Sequence, residues 1–293
     1  MNIHLVDGTY ELFRNHFGAP PKKAPNGQEV GATLGLLRSL YMLLSTPGVT
    51  HIGVAFDHVI ESFRNDLFIG YKTSEGVDPN LLAQFPLAEE AVSALGVVVW
   101  PMVEFEADDA LGTAAARFKK NKSVGQVIIC SPDKDLSQLV SGNKIVCWDR
   151  RRDIIINEAG VVQKFGVRPG SIPDWLALVG DSADGYPGIP GWGAKSAAVV
   201  LSHYKHVELI PDDPGKWHVT SISPGRAASL AESLSQRRKD ALLYKKLATV
   251  REDVPLTEKL SDLKWQGARD ELKEVCLRLG DEKIPLRISR WQK

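Results

Sequence analysis

The chain has 293 residues with 36 basic and 36 acidic side chains, a formal net charge of zero, and 43% apolar and 25% charged residues; these values exclude a disordered, collagen-like or fibrous protein. Cys130, Cys147 and Cys276 are odd in number and show no CxxC spacing, which argues against a disulfide framework and a zinc site and favours a reducing cytoplasm. Neither a leader pattern at the N-terminus nor an apolar run of about 20 residues is visible, so neither secretion nor a membrane span is expected.

Short apolar runs at Ile3–Val6, His51–Phe56, Val97–Trp100, Val127–Cys130 and Lys144–Trp148 read as strands, and two of them take Cys130 and Cys147 into a core. Apolar residues at helical spacing over Ala32–Leu44, and an acid-opened, lysine-closed stretch at Ala107–Phe118, read as helices between them. Strands separated by helices predict an α/β core with a mainly parallel central sheet, residues 1–156. From 157 to 256 the pattern turns helical, with a Gly/Pro-rich turn at Gly185–Gly193. Apolar residues in the tail, 257–293, suggest packing against the body.

Strand ends carry carboxylates: Asp7 in LVDGTY, Asp57 in VAFDH, Asp133 and Asp135 in IICSPDKDL. FEADDA adds Glu106, Asp108 and Asp109, and GDSADG adds Asp181 and Asp184. Each acid taken singly is an ordinary helix-start residue. Nine gathered at one sheet edge would repel strongly and raise one another's pKa, so a cation must neutralise them. Carboxylates without histidine or thiolate select hard ions, Mg²⁺ or Mn²⁺, and two such ions suit hydrolysis of a phosphodiester. With nine of the 36 acids so engaged, 27 acids face 36 basic residues elsewhere, and that remainder is basic enough for a nucleic-acid partner.

GYPGIPGWGAKSAAVVL places Gly188, Gly191 and Gly193 before a helix beginning near Ala194, with Lys195 and Ser196 in its first turn. Such a turn offers backbone N–H groups to a phosphate, or is an ordinary tight connection. Arg64 and Lys72 follow Asp57 closely and could hold a phosphate beside the metals.

Taken as an ordered series, VDGTYELFR, FD followed by SFR and YK, FEADDALG, SPDKDLSQLV and GDSADGYPGIPGWGAKSA resemble the 5′ nuclease (flap endonuclease) family, which includes the 5′ nuclease domain of bacterial DNA polymerase I. The resemblance implies a PIN-like core, with a helical arch at about 72–96, and a helix–three-turn–helix DNA-binding region. It implies Asp7, Asp57, Glu106, Asp108, Asp109, Asp133, Asp135, Asp181 and Asp184 as metal-site acids. Lys72, Arg64 and Asp133 are the implied catalytic residues, and Gly188, Gly191, Gly193, Lys195 and Ser196 would grip duplex DNA, where the family uses a potassium ion.

The implied activity is 5′→3′ exonuclease or flap endonuclease action on branched, nicked or flapped DNA, and on an RNA–DNA hybrid as an extension, in replication and repair. A monomer without membrane association, working beside the bacterial nucleoid, is expected. Two departures stand out: Glu75 occupies the last position of the family's YKxxR, and no Lys or Arg occurs from Thr73 through Ala116. No polymerase segment is seen before Lys293, so a stand-alone nuclease is expected. A haloacid dehalogenase-type phosphatase shares VDGT and GDSAD, yet its nucleophile position holds Leu5. A non-catalytic binder of DNA structures is the remaining alternative, and it would require acids that are all present to be idle.

Overall fold

The computed structural model describes residues 1–292; Lys293, the last residue of the expected tail, lies outside the described residues. In chain order the elements are β1 (Asn2–Asp7), α1 (Gly8–Gly18), α2 (Gly31–Leu44), β2 (Val49–Asp57), α3 (Phe63–Leu67), α4 (Pro79–Leu82), α5 (Phe85–Ala94), β3 (Val98–Met102), α6 (Ala107–Phe118) and β4 (Gln126–Cys130). They continue with β5 (Ile145–Asp149), β6 (Ile154–Ile156), α7 (Glu158–Phe165), α8 (Ile172–Val179), α9 (Ala194–Tyr204), α10 (Pro224–Gln236), α11 (Arg238–Ala248), α12 (Glu271–Arg278) and α13 (Lys283–Arg287). All five expected strands form, the two expected helices form, and α9 begins at Ala194. β6 was missed, although Ile154, Ile155 and Ile156 are a β-branched run; its brevity and the preceding RRRD turn hid it.

Two compact units are each discontinuous in sequence: the first comprises residues 1–62, 74–131 and 251–293, the second residues 63–73 and 132–250.

The first unit is built on a parallel sheet in the order β3-β2-β1-β4, with Val6 opposite Val54 on one side and Cys130 on the other. Ile3, Leu5, Val6, Ile52, Val54, Phe56, Val127 and Ile129 are all buried, as strands covered on both faces must be. α6 is lined by small residues, and Ala110, Leu111, Ala114 and Ala115 are fully buried. Asp7 caps α1, accepting the Tyr10 amide at 2.8 Å, so the residue ending β1 is also the one that starts the next helix.

The stretch expected to carry an arch is largely α4 and α5, whose Leu81, Phe85, Ala88, Ala91 and Val92 are buried. The fully buried Gln84 side chain accepts the Thr33 amide of α2 at 3.1 Å, which ties this stretch to the core of its own unit.

Tail residues complete this unit. β3 pairs with β2 only from Gly53 onward, and the bare start of β2 is met instead by the tail: Ile52 donates to the Leu263 carbonyl at 2.8 Å and Trp265 donates to that of Thr50 at 2.9 Å. Buried Asp281 accepts the amides of Lys283 and Ile284 at 3.0 and 3.2 Å and pairs with Arg38 and Lys22.

In the second unit β5 and β6 form an antiparallel hairpin, its turn held by Asp149 Oδ1, which accepts the amides of Arg151 and Arg152 at 3.1 Å each. α8 packs on α11 around Leu176, Ala177, Ala241 and Leu247. Asp174, fully buried, pairs with Lys245 at 2.8 Å and with His206 at 3.0 Å and accepts the Val207 amide at 2.9 Å. A buried carboxylate needs such compensation. Burial alone would lower the Lys245 pKa, but the hydrogen bonds to Asp174 and Glu208 outweigh it and hold the ammonium above its usual value. Among the described residues no helix is long and apolar enough to cross a membrane.

Candidate active site

Carboxylates gather at the C-terminal ends of the parallel strands in the first unit, where open α/β sheets place their sites. Asp7 ends β1 and Asp57 ends β2. Asp7 Oδ2 accepts the Ser131 hydroxyl at 2.9 Å, just past β4. Asp57 Oδ1 accepts the Ala107 amide at 2.6 Å, which draws the start of α6, with Glu106 and Asp108, to the same edge. Glu106 Oε1 accepts the Ser62 hydroxyl at 2.7 Å. Asp7, Asp57 and Glu106 are buried and Asp108 is half-buried.

Asp109 stands differently. It is fully buried and turned along α6, with Oδ2 accepting the Glu106 amide at 3.0 Å and Oδ1 accepting the Arg251 amide at 2.8 Å. These contacts make it a brace for the start of α6.

The second unit holds a triad. Oxygens of Asp135, Asp181 and Asp184 lie within 4.8 Å of one another. Asp133 accepts the Asp135 amide at 2.9 Å and so shapes the turn that delivers Asp135. Burial, reinforced by Asp133 and Asp184, pushes the Asp135 carboxyl well above the usual range. Its buried Oδ1 has no hydrogen-bond partner, and an oxygen of that kind in an all-carboxylate set fits a hard divalent cation.

Two ammonium groups meet these acids. Lys72 Nζ is 3.2 Å from Asp184 Oδ1, and the Lys72 amide donates to the Asp184 carbonyl at 3.0 Å. Lys134 Nζ pairs with Asp181 Oδ2 and lies 3.9 Å from Asp135 Oδ1. Tyr186, 1% exposed, stacks on Tyr244 with ring centroids 5.6 Å apart, and its hydroxyl has no hydrogen-bond partner. Burial and then the charges of Asp135, Asp184, Asp181 and Asp133 raise the Tyr186 pKa, so it stays a neutral donor. Neither Lys134 nor Tyr186 stood out in the sequence; a lone cation between two acids in PDKD was the available signal for the first.

Arg64 is 2% exposed, and its guanidinium donates to the carbonyls of Leu247 at 2.8 Å and Thr249 at 3.1 Å. It therefore buttresses the last turn of α11, where carbonyls lack helical partners. Two further basic residues are engaged internally: Lys245 with Asp174, and Arg238 with the carbonyls of Val207 and Ile210.

The turn between α8 and α9 is shaped by close approach. Gly188 has φ +72, and a Cβ there would sit 2.4 Å from the Gly180 nitrogen, so only glycine fits. Gly191 also has positive φ, and its carbonyl accepts Arg226. Gly193 precedes α9, where Ser196 Oγ accepts the Gly193 amide at 3.1 Å and donates to its carbonyl at 3.0 Å. Gly191, Gly193 and Lys195 are exposed.

Comparison with known proteins agrees with this arrangement. Residues 2–166 match the family profile described as 5′-3′ exonuclease, N-terminal resolvase-like domain, and residues 167–271 match 5′-3′ exonuclease, C-terminal SAM fold. A 5′-3′ exonuclease of Aquifex aeolicus is 35% identical over 209 residues, 71% of each chain. DNA polymerase I of Bacillus caldotenax is 34% identical over 277 residues, 93% of this chain and 30% of that protein, so the chain spans under a third of this longer relative. Among solved structures, the T5 D15 protein co-crystallised with metal ions aligns with TM-score 0.68 at 15% identity, covering 97% of this chain and 95% of that one. The catalytic core of Rad2 in complex with DNA substrate aligns at 0.60 and 16%, covering 98% and 91%. These likenesses put the α/β core and the helical region in the class of 5′ nucleases, hydrolases of phosphodiester bonds. The chain belongs to the 5′-3′ exonuclease family.

Proposed function

We propose that this chain is a divalent-metal-dependent, structure-specific 5′ nuclease that hydrolyses phosphodiesters in branched, nicked or flapped DNA during replication and repair. The observation that carries this reading is the Asp135, Asp181 and Asp184 triad with a buried oxygen that accepts no hydrogen bond, in a member of the 5′-3′ exonuclease family. Asp7, Asp57, Glu106 and Asp108 would hold one ion; Asp135, Asp181 and Asp184, shaped by Asp133, would hold another. Mg²⁺ or Mn²⁺ suits both oxygen-only sets. Bound there, such ions lower the pKa of water and stabilise charge on phosphate oxygens.

The protein's own groups bind and orient. Lys72 stands beside Asp184 as the cation for the scissile phosphate. Arg64 acts through α11, whose end it holds, as a positioning residue. Asp109 ties the start of α6 to the backbone at Arg251. Gly188, Gly191 and Gly193 bring backbone N–H groups close to a phosphate, Lys195 and Ser196 add a charge and a hydroxyl, and a potassium ion at that turn would join the grip. The reading extends to RNA–DNA hybrids, because metal-assisted displacement at phosphorus does not require a missing 2′-OH, and to a monomer acting in the cytoplasm at the nucleoid.

The test is a 5′-labelled flap duplex with Mg²⁺ or Mn²⁺, comparing the intact chain, the same with EDTA, and Asp135→Asn. Metal-dependent cleavage near the branch, lost in the variant, is expected. Binding without cleavage under either metal would make the chain a non-catalytic binder of DNA structures.

A further inference from the structure

The triad is touched by two ammonium groups that differ in kind. Lys72 meets Asp184 through both side chain and main chain. Lys134 instead projects from between Asp133 and Asp135, reaches Asp181 Oδ2, and lies 3.9 Å from Asp135 Oδ1. It thus straddles two of the three acids with a single charge. Its contact leaves the need of the site unmet, since Asp135 Oδ1 and the Tyr186 hydroxyl, both buried, have no hydrogen-bond partner. A divalent ion could draw on all three carboxylates at once, because their oxygens lie within 4.8 Å of one another. The Lys134 side chain is 35% exposed, so a path to solvent is open to it.

We propose that Lys134 is a built-in cation that neutralises the Asp135–Asp181–Asp184 triad in the metal-free protein and is displaced by the divalent ion, so that it sets the affinity of that site. The inference rests on the reading that the triad holds a metal ion. An ammonium and a divalent cation repel one another at this range, and whatever stabilises one at the triad weakens the other by the same factor. Lys134 is on this account a positioning residue: it keeps the acids gathered until the ion arrives.

Two measurements on the full chain test this without reading activity. Acetylation of Lys134 by an amine-reactive ester, followed by mass spectrometry, should be slow in metal-free protein and rise about tenfold when Mn²⁺ is added. Mn²⁺ binding, followed by electron paramagnetic resonance of the free ion, should tighten about tenfold in Lys134→Met and stay near the wild-type value in Lys134→Arg, which keeps the charge. Equal Mn²⁺ affinity in wild type and Lys134→Met, or a Lys134 reactivity that Mn²⁺ leaves unchanged, would overturn the proposal. Should Lys134→Met fail to fold without metal, the acetylation experiment on the wild type decides alone. Wild-type protein that binds no Mn²⁺ would remove the metal reading itself, and this proposal with it.

Discussion

Asp109 and Arg251, 142 residues apart, are joined by one hydrogen bond in which the Arg251 amide donates to a fully buried carboxylate at 2.8 Å. The other Asp109 oxygen accepts the Glu106 amide, so one side chain locks the start of α6 to the backbone at Arg251. Removing it leaves the buried Glu106 amide and the part-buried Arg251 amide without this acceptor. Asp109→Ala should lose roughly 2–4 kcal/mol of stability, measured as a lower urea midpoint by fluorescence of the seven tryptophans. A change within about 0.5 kcal/mol, the range of ordinary surface substitutions, would show that the contact is incidental and return Asp109 to the metal set.

Asp181→Asn removes a charged ligand from the triad and a partner from Lys134. Single-turnover cleavage of a flap duplex should fall by at least about 100-fold, while DNA affinity in Ca²⁺ stays within a few-fold. Excess Mn²⁺ should recover part of the rate. Full activity at ordinary Mg²⁺ would take Asp181 out of the site.

Gly188 is held at φ +72 with no room for a Cβ beside Gly180. Gly188→Ala should lower stability by more than about 1 kcal/mol, and it should weaken duplex binding in the protein that remains folded. Lys195→Ala, by contrast, should leave stability unchanged, weaken binding evenly across DNA sequences, and reduce the salt dependence of affinity by about one unit of slope.

Asp281 titrates in a stabilising sense. Burial alone would raise its pKa, but the Arg38 hydrogen bond, the Lys283 amide and the charges of Arg38 and Lys22 bring it below the usual value. A carboxylate with a depressed folded pKa contributes stability above its unfolded pKa and loses it as pH falls through the folded one. Asp281→Ala should therefore be less stable than wild type by roughly 1–3 kcal/mol at pH 7, and the gap should narrow below about pH 4. Urea unfolding across that range reads it, and a gap that persists unchanged at low pH would assign the loss to packing.

The first five strands, α2, α6 and the start of α9 were legible in the sequence because their signals are local: β-branched runs, helical apolar spacing, and a glycine turn closing on an alanine-rich helix. The acids were legible for the same reason, since Asp7, Asp57, Asp133 and Asp135 follow apolar strands, Glu106, Asp108 and Asp109 open a helix, and Asp181 and Asp184 sit in the GDSADG turn. Tertiary structure alone decided what each of them touches. Asp109 reads in sequence like its neighbour Asp108, and its contact with the Arg251 amide is set by the packed chain. Arg64 reads as a phosphate ligand, yet α11 presents carbonyls to it. Lys134, an unremarkable residue between two acids, becomes a cation on a distant aspartate only when the chain brings Asp181 back to it, 47 positions away. Periodicity and caps depend on neighbours within a few residues, whereas ligand, brace and counter-ion depend on which oxygens and amides meet across long separations, and only the packed chain determines that.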